Sequence, residues 1–303
     1  MTISRRNFLV SSSMAALGTM VLPKYVNAFG NTSKIVTGIQ LYSVRDDMKA
    51  NPLQTLQQLA SMGYTQVEHA NYIDRKFYGY SAKAFKKILS NLGMNMPSGH
   101  TVLKPEHWDA AKKDFTKEWK HTIEDAAIVG QQYVISPWLD DSMRTNVDQL
   151  KNYMDVFNKC GQLCKRWGLK FGYHNHDFEF KEITPGTTIY DVILQNTDPA
   201  LVTQQLDIGN LYNGNASVMP ILNKYPGRFA SMHVKNEIQS SGGNEHYESS
   251  LLNNGVVPVK EAIDYGKDKG GTHLFIIEQE SYQGKAPLDC AKENLAIMKT
   301  WGY

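Results

Sequence analysis

Residues 168–176 have the sequence Gly-Leu-Lys-Phe-Gly-Tyr-His-Asn-His. The glycine stands where a helical pattern ends, the apolar and aromatic run after it predicts a strand, and two histidines close the unit. The same order of helix, glycine, short strand and titratable side chain recurs along the chain. One such unit says little about the fold, whereas a series of them predicts a fold class.

Eight short apolar runs are predicted as strands, at Val36–Tyr42, Tyr64–Glu68, Met94–His100, Gln132–Ser136, Leu169–His174, Leu201–Asp207, Arg228–Lys235 and Thr272–Glu278. The segments between them have helical periodicity, with Ser81 and Asn146 as caps and Gly63 and Gly130 among the terminating glycines. Strict alternation predicts a parallel sheet, and eight units predict closure into a single (β/α)8 TIM barrel over residues 35–303. An open doubly wound sheet is the alternative, but no Gly-x-Gly-x-x-Gly motif or P-loop follows an early strand.

Residues 1–28 are predicted to be a signal peptide of the twin-arginine type. Arg5 and Arg6 precede an apolar run that ends near Leu22, and Ala28 supplies a small residue for cleavage. A membrane anchor or a first barrel helix is the alternative, but the run is short for a span and contains several serines. The expected location is the periplasm, without stable insertion in a membrane.

Composition and charge restrict the class of protein further. Hydrophobic residues make up 42% and charged residues 20% of the chain, which is typical of a soluble globular enzyme. Removing residues 1–28 takes away three basic residues and no acidic one, so the formal net charge changes from +2 to −1. No basic stripe remains to bind nucleic acid. The cysteines Cys160, Cys164 and Cys290 are odd in number and predict no disulfide framework.

Almost every predicted strand ends in a polar or titratable side chain, and the carboxyl ends of barrel strands are where active sites form. These residues are Gln40, Tyr42, Glu68, His100, His174, His176, Asp207, His233, Lys235 and Glu278. Strands five to eight carry His174, Asp207, His233 and Glu278, which we predict to bind a divalent metal ion. Mn²⁺ is favoured, and Zn²⁺, Co²⁺ and Mg²⁺ are possible. His176 competes with His174 as the ligand because both point to the same side of a strand.

The motifs at these strand ends resemble the xylose-isomerase-like barrel superfamily, which includes sugar phosphate isomerases and epimerases. They are Gly38–Ser43, Gly63–Glu68, Ser98–Thr101, Leu206–Asn210, His233–Asn236 and Phe275–Glu278. The resemblance implies a metal bound by Glu, Asp, His and Glu, of which Asp207, His233 and Glu278 match. Where the family has its first Glu, this chain has His174 within Tyr-His-Asn-His. That departure removes one of the two glutamates that epimerases of the family use to move protons.

The expected chemistry is proton abstraction beside a sugar carbonyl whose enediolate the metal stabilises. His176, Glu68 and His100 are candidate bases, and Lys235 would neutralise the developing oxyanion. Gln40 and Tyr42 are expected to contact substrate, and Trp138 could stack on a sugar ring or belong to the core.

The first expectation is an isomerase or epimerase acting on an unphosphorylated sugar or keto-sugar. The alternative is a lyase that cleaves 3-keto-glycosides by β-elimination, after a partner oxidoreductase has oxidised C3. A non-catalytic sugar-binding protein is less favoured, since recognition alone does not need a metal and several bases. A metal-dependent endonuclease would need a basic face that the charge of −1 does not supply.

Overall fold

A closed barrel of eight parallel strands forms the centre of residues 35–303. The structure is a computed structural model, and it describes residues 35–240, 242 and 246–303. The strands are β1 Val36–Gln40, β2 Gln66–His69, β3 Asn95–His100, β4 Tyr133–Ser136, β5 Lys170–His174, β6 Val202–Asp207, β7 Phe229–Val234 and β8 Leu274–Ile277. Each pairs in parallel with the next, and β8 pairs with β1. The predicted single (β/α)8 barrel is confirmed, whereas the predicted signal peptide lies outside the described residues.

Helices surround the barrel and begin and end largely where the sequence signals predicted. They are α1 Arg45–Ala50, α2 Pro52–Met62, α3 Ala82–Asn91, α4 Lys117–Val129, α5 Val147–Arg166, α6 Ile189–Asn196, α7 Ile208–Asn213, α8 Val218–Lys224, α9 Val259–Tyr265 and α10 Pro287–Thr300. The side chain of Asn146 caps α5 by accepting from the backbone N–H of Gln149 at 2.9 Å. Gly63 and Gly130 end α2 and α4 at φ values of 105° and 102°, which only glycine adopts without strain. Among the described residues, no helix is long and apolar enough to cross a membrane.

Small antiparallel sheets follow several strands at the carboxyl end of the barrel. Their pairs are Tyr72–Ile73 with Lys76–Phe77, Lys76–Phe77 with Tyr80–Ser81, Trp108–Asp109 with Asp114–Phe115, Glu182–Thr184 with Thr187–Thr188, and Asn236–Gln239 with Tyr247–Ser250. The sequence pattern did not predict them because runs of two to four residues are too short to show a period of two. Residues 72–75 of the first of these sheets line the cavity at the mouth of the barrel.

The interior of the barrel is apolar toward the amino-terminal ends of the strands, here called the lower part, and polar at their carboxyl ends. Tyr133, Ile135, Leu274 and Ile276 form a small buried cluster that is separate from the larger core. The larger core contains residues such as Phe171 and lies chiefly between strands and helices. Because inward positions recur every second residue, the same strands that fill the lower interior also deliver polar side chains at their carboxyl ends.

Strand register decides which of these polar side chains are neighbours. His174 of β5 lies beside Gln205 of β6, and Asp207 of β6 lies beside His233 of β7. Residues in register on adjacent parallel strands project to the same face of the sheet. The barrel therefore gathers side chains that are far apart in sequence into one layer.

Candidate metal centre and active-site cavity

Four buried side chains converge at the carboxyl ends of β5 to β8. One ligand atom from each of His174, Asp207, His233 and Glu278 lies within 4.8 Å of the others. Nδ1 of His233 is 3.0 Å from Oε2 of Glu278 and 3.8 Å from Oδ2 of Asp207. Nε2 of His174 is 4.0 Å from the same oxygen of Asp207. The structure thus brings together the four residues that the sequence predicted as metal ligands.

The carboxylate of Asp207 is the strongest sign that this cluster fits a cation. Oδ1 accepts a hydrogen bond from the backbone N–H of Asn210 at 2.7 Å, but the buried Oδ2 has no hydrogen-bond partner among the described residues. Burial raises the pKa of Asp207 to about 7. An unsatisfied buried carboxylate is costly, and a cation between these four side chains would remove that cost. Two imidazoles and two carboxylates suit a divalent ion such as Zn²⁺ or Mn²⁺.

Glu68 orients His233 from behind the cluster. Nε2–H of His233 donates to Oε1 of Glu68 at 2.6 Å, which leaves Nδ1 to face the other ligands. Burial alone would raise the pKa of Glu68, but His100 and His233 hold it well below its usual range. A carboxylate that holds a metal-binding histidine in this way fixes the ring's orientation and tautomer. This geometry favours an orienting role for Glu68 over the role of base.

Gln205, which the sequence analysis missed, connects the histidines to Glu68. Its side-chain oxygen accepts from Nδ1 of His174 at 3.1 Å and from Nε2 of His100 at 2.6 Å. Its amide donates to Oε2 of Glu68 at 2.8 Å. With the proton on Nδ1, Nε2 of His174 is left free to bind a cation. The signal was present in the sequence, because Gln205 lies two residues before Asp207 on the same face of β6.

Replacing Gln205 with Leu is expected to weaken metal affinity by about 10- to 100-fold, because His174 loses the group that fixes its tautomer. The measurement is a competition titration of the metal-loaded protein against a chelator. Gln204→Leu is the matched control, since both amide atoms of Gln204 are buried without a partner among the described residues. Equal metal affinity in the two variants would contradict the role given to Gln205.

A cavity of about 950 Å³ opens above the cluster, and His100, His174, His176 and Glu278 are among the residues that line it. Nδ1 of His176 is buried without a hydrogen-bond partner among the described residues, and the centroid of the ring is 5.2 Å from that of His174. Burial, followed by the charge of Lys235, lowers the pKa of His176 to about 4. The ring is therefore neutral at pH 7 and keeps a lone pair at the edge of the metal centre, although the lowered pKa makes it a weaker base than a free imidazole.

Lys235 places a buried positive charge beside the two ligand carboxylates. Its Nζ donates to Oε2 of Glu280 at 2.6 Å and lies 3.9 Å from Asp207 and 3.7 Å from Glu278. Burial would lower the pKa of Lys235, but these carboxylates raise it well above its usual value. The lysine can come this close because position 209 is glycine, where a Cβ would stand 2.7 Å from Cγ of Lys235.

The three residues predicted to contact substrate lie in different surroundings. Tyr42 is exposed at the cavity mouth, with the guanidinium of Arg45 4.8 Å from its ring centroid. Gln40 is fully buried and donates to Oε1 of Glu68 at 2.8 Å. It therefore holds Glu68 in place and is not among the residues that line the cavity. Trp138 packs edge-on against His176 with centroids 5.3 Å apart, which allows it to position that ring.

Residues 56–301 match the family described as Xylose isomerase-like TIM barrel. The chain belongs to this family. Among curated relatives, it is 25% identical over 222 residues to an inosose dehydratase of Clostridium beijerinckii, covering 68% of this chain and 72% of the relative. It is 26% identical to an inosose dehydratase of Clostridium botulinum, covering 71% of this chain and 76% of the relative.

Two solved structures share the fold of this chain. A sugar phosphate isomerase/epimerase from Parabacteroides distasonis is 25% identical with a TM-score of 0.72, covering 88% of this chain and 98% of that one. The IolI protein, whose structure holds a zinc atom, is 13% identical with a TM-score of 0.70, covering 89% and 99% of the two chains. At 13% identity the second likeness concerns the fold alone.

Glu179, three residues after His176, does not replace the glutamate that the resemblance implies at the position of His174. It is fully buried, where its Oε2 accepts from the backbone N–H of His176 at 2.9 Å and its Oε1 accepts from the hydroxyl of Tyr173. Burial raises the pKa of Glu179 to about 8 against its ordinary 4.5. Its place is therefore structural support beneath the loop that carries His176.

Replacing Glu179 with Gln is expected to flatten the pH dependence of stability. Native Glu179 keeps a proton that the unfolded chain loses above pH 4.5, so folding stability falls as pH rises towards 8. The variant lacks this titration. The unfolding free energy of the variant, relative to that of wild type, should therefore rise by up to about 1.4 kcal/mol per pH unit between pH 4.5 and 8. The measurement is urea unfolding from pH 5 to 9, with exposed Glu182→Gln as control. A difference in unfolding free energy between variant and wild type that does not change with pH would contradict the raised pKa of Glu179.

Proposed function

We propose that this protein is a divalent-metal-dependent lyase that removes a proton beside the carbonyl of an unphosphorylated keto-sugar or ketocyclitol and expels the oxygen substituent at the β carbon. The observation that carries the proposal is the buried cluster of His174, Asp207, His233 and Glu278, with an unpartnered carboxylate oxygen, at the floor of a cavity of about 950 Å³. The curated relatives named inosose dehydratase support elimination from a ketone.

The chain's own residues would divide the work as follows. A divalent cation held by the four ligands would polarise the substrate carbonyl. The neutral ring of His176 takes the proton from the carbon beside the carbonyl, and the electron pair forms an enediolate. Lys235 offsets the negative charge on the oxygen. As the carbonyl re-forms, the C–O bond at the β carbon breaks, and His176 returns its proton to the departing oxygen.

Elimination is favoured because His174 replaces one of the two glutamates that epimerases of the family use to move protons. An epimerase must remove a proton from one face of a carbon and return a proton to the other face. Here His174 stands where the family has its first glutamate, and Glu179 is buried beneath the loop. A single base is sufficient for elimination, since the same group can protonate the oxygen that leaves.

Isomerisation or epimerisation remains the second candidate. It is favoured by the solved relative from Parabacteroides distasonis, a sugar phosphate isomerase/epimerase at 25% identity. His100 also lines the cavity and could serve as a second proton carrier. The first steps of the two reactions are the same, and only the fate of the enediolate separates them.

The substrate would come from another enzyme. A 3-keto-glycoside arises by oxidation of a secondary hydroxyl, so a sugar oxidoreductase is the expected partner in the same reaction sequence. The signal peptide predicted at residues 1–28 would place this chemistry in the periplasm, where unphosphorylated glycosides are the more available substrates.

The test is incubation of the metal-loaded mature protein in D2O with an inosose, methyl 3-keto-glucoside and free ketoses, followed by metal removal and proton NMR. Loss of water or methanol with a new vinyl proton would support the lyase. Deuterium at the carbon beside the carbonyl, together with an epimer or isomer, would support the second candidate. Neither signal from protein with confirmed metal content would overturn both.

A further inference from the structure

The cavity extends well beyond the metal centre. Its volume of about 950 Å³ is at the upper end of cavities that enclose drug-sized ligands. The cavity is therefore larger than a single sugar ring of about a dozen non-hydrogen atoms needs. Its distal end, as we call it here, is the part of the cavity that is lined by the hairpin at residues 72–77 and by the first half of α4. Both elements belong to connections after β2 and β3, which contribute none of the four ligands.

The hairpin that forms one wall is held in place by a specific clamp. Its turn residues Asp74 and Arg75 have φ values of 49° and 61°, a conformation that type I′ hairpins usually give to asparagine and glycine. Arg75 is kept there by hydrogen bonds from Nε and Nη2 to the two carboxylate oxygens of Asp125, at 2.8 and 2.7 Å. The hydroxyl of Tyr72 donates to the same carboxylate at 2.7 Å. The unfavourable backbone is therefore stabilised by a contact that bridges the hairpin to α4.

The buried side chain of Phe77 anchors the hairpin from its other side. Phe77 packs edge-on against His69 at 4.8 Å and stacks on Phe85 of α3 at 5.8 Å. The wall is thus fixed to the core through Phe77 and to α4 through Asp125. A wall held at both points presents a preformed surface to a ligand.

The chemistry of the distal end suits a neutral polyhydroxylated ring. From α4, Lys117, Glu118, His121 and Thr122 line the cavity, a spacing that places them on one side of the helix. Together these side chains offer hydrogen-bond donors and acceptors, and the ring of Tyr72 also lines the cavity. Hydroxyl groups use donors and acceptors alike, so this mixed lining can satisfy a sugar ring.

We propose that the distal end is a second subsite that binds the ring of the departing group, so that the substrate is a two-ring keto-glycoside, and that the clamp between Arg75 and Asp125 fixes this subsite. The proposal rests on the proposed lyase function, since it names the group that leaves. It makes Arg75 and Asp125 positioning residues that determine specificity without touching the reacting atoms.

The test compares kcat/KM for a 3-keto-disaccharide with kcat/KM for methyl 3-keto-glucoside. Wild type is expected to prefer the disaccharide by about tenfold or more, and Arg75→Ala to lose most of that preference while its rate on the methyl glycoside stays within about twofold. Arg166→Ala, at an exposed arginine at the end of α5, is the matched control. Equal losses on both substrates in Arg75→Ala, or no preference in wild type, would overturn the second subsite.

A second variant and a binding measurement keep this proposal separate from the lyase function. His121→Trp fills the distal end, so it should exclude the disaccharide and still admit the methyl glycoside. Calorimetric binding of the unoxidised disaccharide and of methyl glucoside needs no turnover. Tighter disaccharide binding that Arg75→Ala and His121→Trp both abolish would support the subsite even if no elimination occurs. Equal affinities for the two sugars would overturn it even if elimination is observed.

Discussion

Asp207→Asn is expected to lower the rate of any metal-dependent turnover on the order of a thousandfold, while leaving the metal-free fold intact. The amide oxygen can still accept from the N–H of Asn210, so the start of α7 is preserved. The amide nitrogen, however, replaces an oxygen ligand with N–H groups, which carry partial positive charge and repel a cation beside Lys235. A metal contributes several kcal/mol of charge stabilisation, and about 1.4 kcal/mol corresponds to each factor of ten in rate.

Two readouts separate this expectation from simple misfolding. Metal content after dialysis should fall. The metal-free variant should unfold at a urea concentration no lower than that of the metal-free wild type, because a buried carboxylate oxygen without a hydrogen-bond partner among the described residues has been removed. Asp198→Asn is the matched control, since Asp198 also caps a turn by accepting from the N–H of Ala200 at 2.8 Å but is exposed in the loop before β6. Full metal content together with wild-type activity in Asp207→Asn would remove Asp207 from the metal centre.

His176→Gln is expected to lower kcat by about 10²- to 10⁴-fold, which is the usual contribution of a positioned general base. Metal affinity should stay close to that of wild type, because His176 is not one of the four clustered ligands. The measurement is the rate of deuterium exchange beside the carbonyl, together with the rate of elimination and a chelator titration. A loss of metal equal to the loss of rate would instead identify His176 as a ligand.

The control for the second expectation is His273→Gln. His273 immediately precedes β8 at the amino-terminal end of the barrel, where its Nε2 lies 3.0 Å from the hydroxyl of Tyr133. The same substitution there should leave exchange and elimination unchanged. If His100→Gln, and not His176→Gln, stopped exchange, the base would be His100, whose ring also lines the cavity.

The sequence alone predicted the barrel and the four clustered side chains because both depend on a local pattern. Asp207 and Glu278 each follow an apolar run, and the rule that strand ends meet at one mouth is enough to bring them together. The competition between His174 and His176 could not be decided in this way, since both share a face. It depends on where β5 ends and on the contact between Nδ1 of His174 and Gln205.

The supporting residues were harder to predict for a physical reason. Gln205 and Ser98 donate to Glu68, but glutamine and serine are common on any strand and reveal a role only through their partners on other strands. The distal wall depends on the clamp between Arg75 and Asp125, a contact across 50 residues of sequence that no periodicity encodes. Long-range polar pairing is the part of the site for which the structure was needed.

Because the clamp and the metal ligands lie on separate parts of the chain, their sequences can vary independently in evolution. The four clustered ligands come from β5 to β8, whereas the distal wall comes from the connections after β2 and β3. Substitutions in groups that share no partners have nearly additive effects. Variation in those two connections could therefore alter which departing group is accepted while the chemistry is conserved. A library confined to residues 71–76 and 117–122 would be an economical starting point for new specificities.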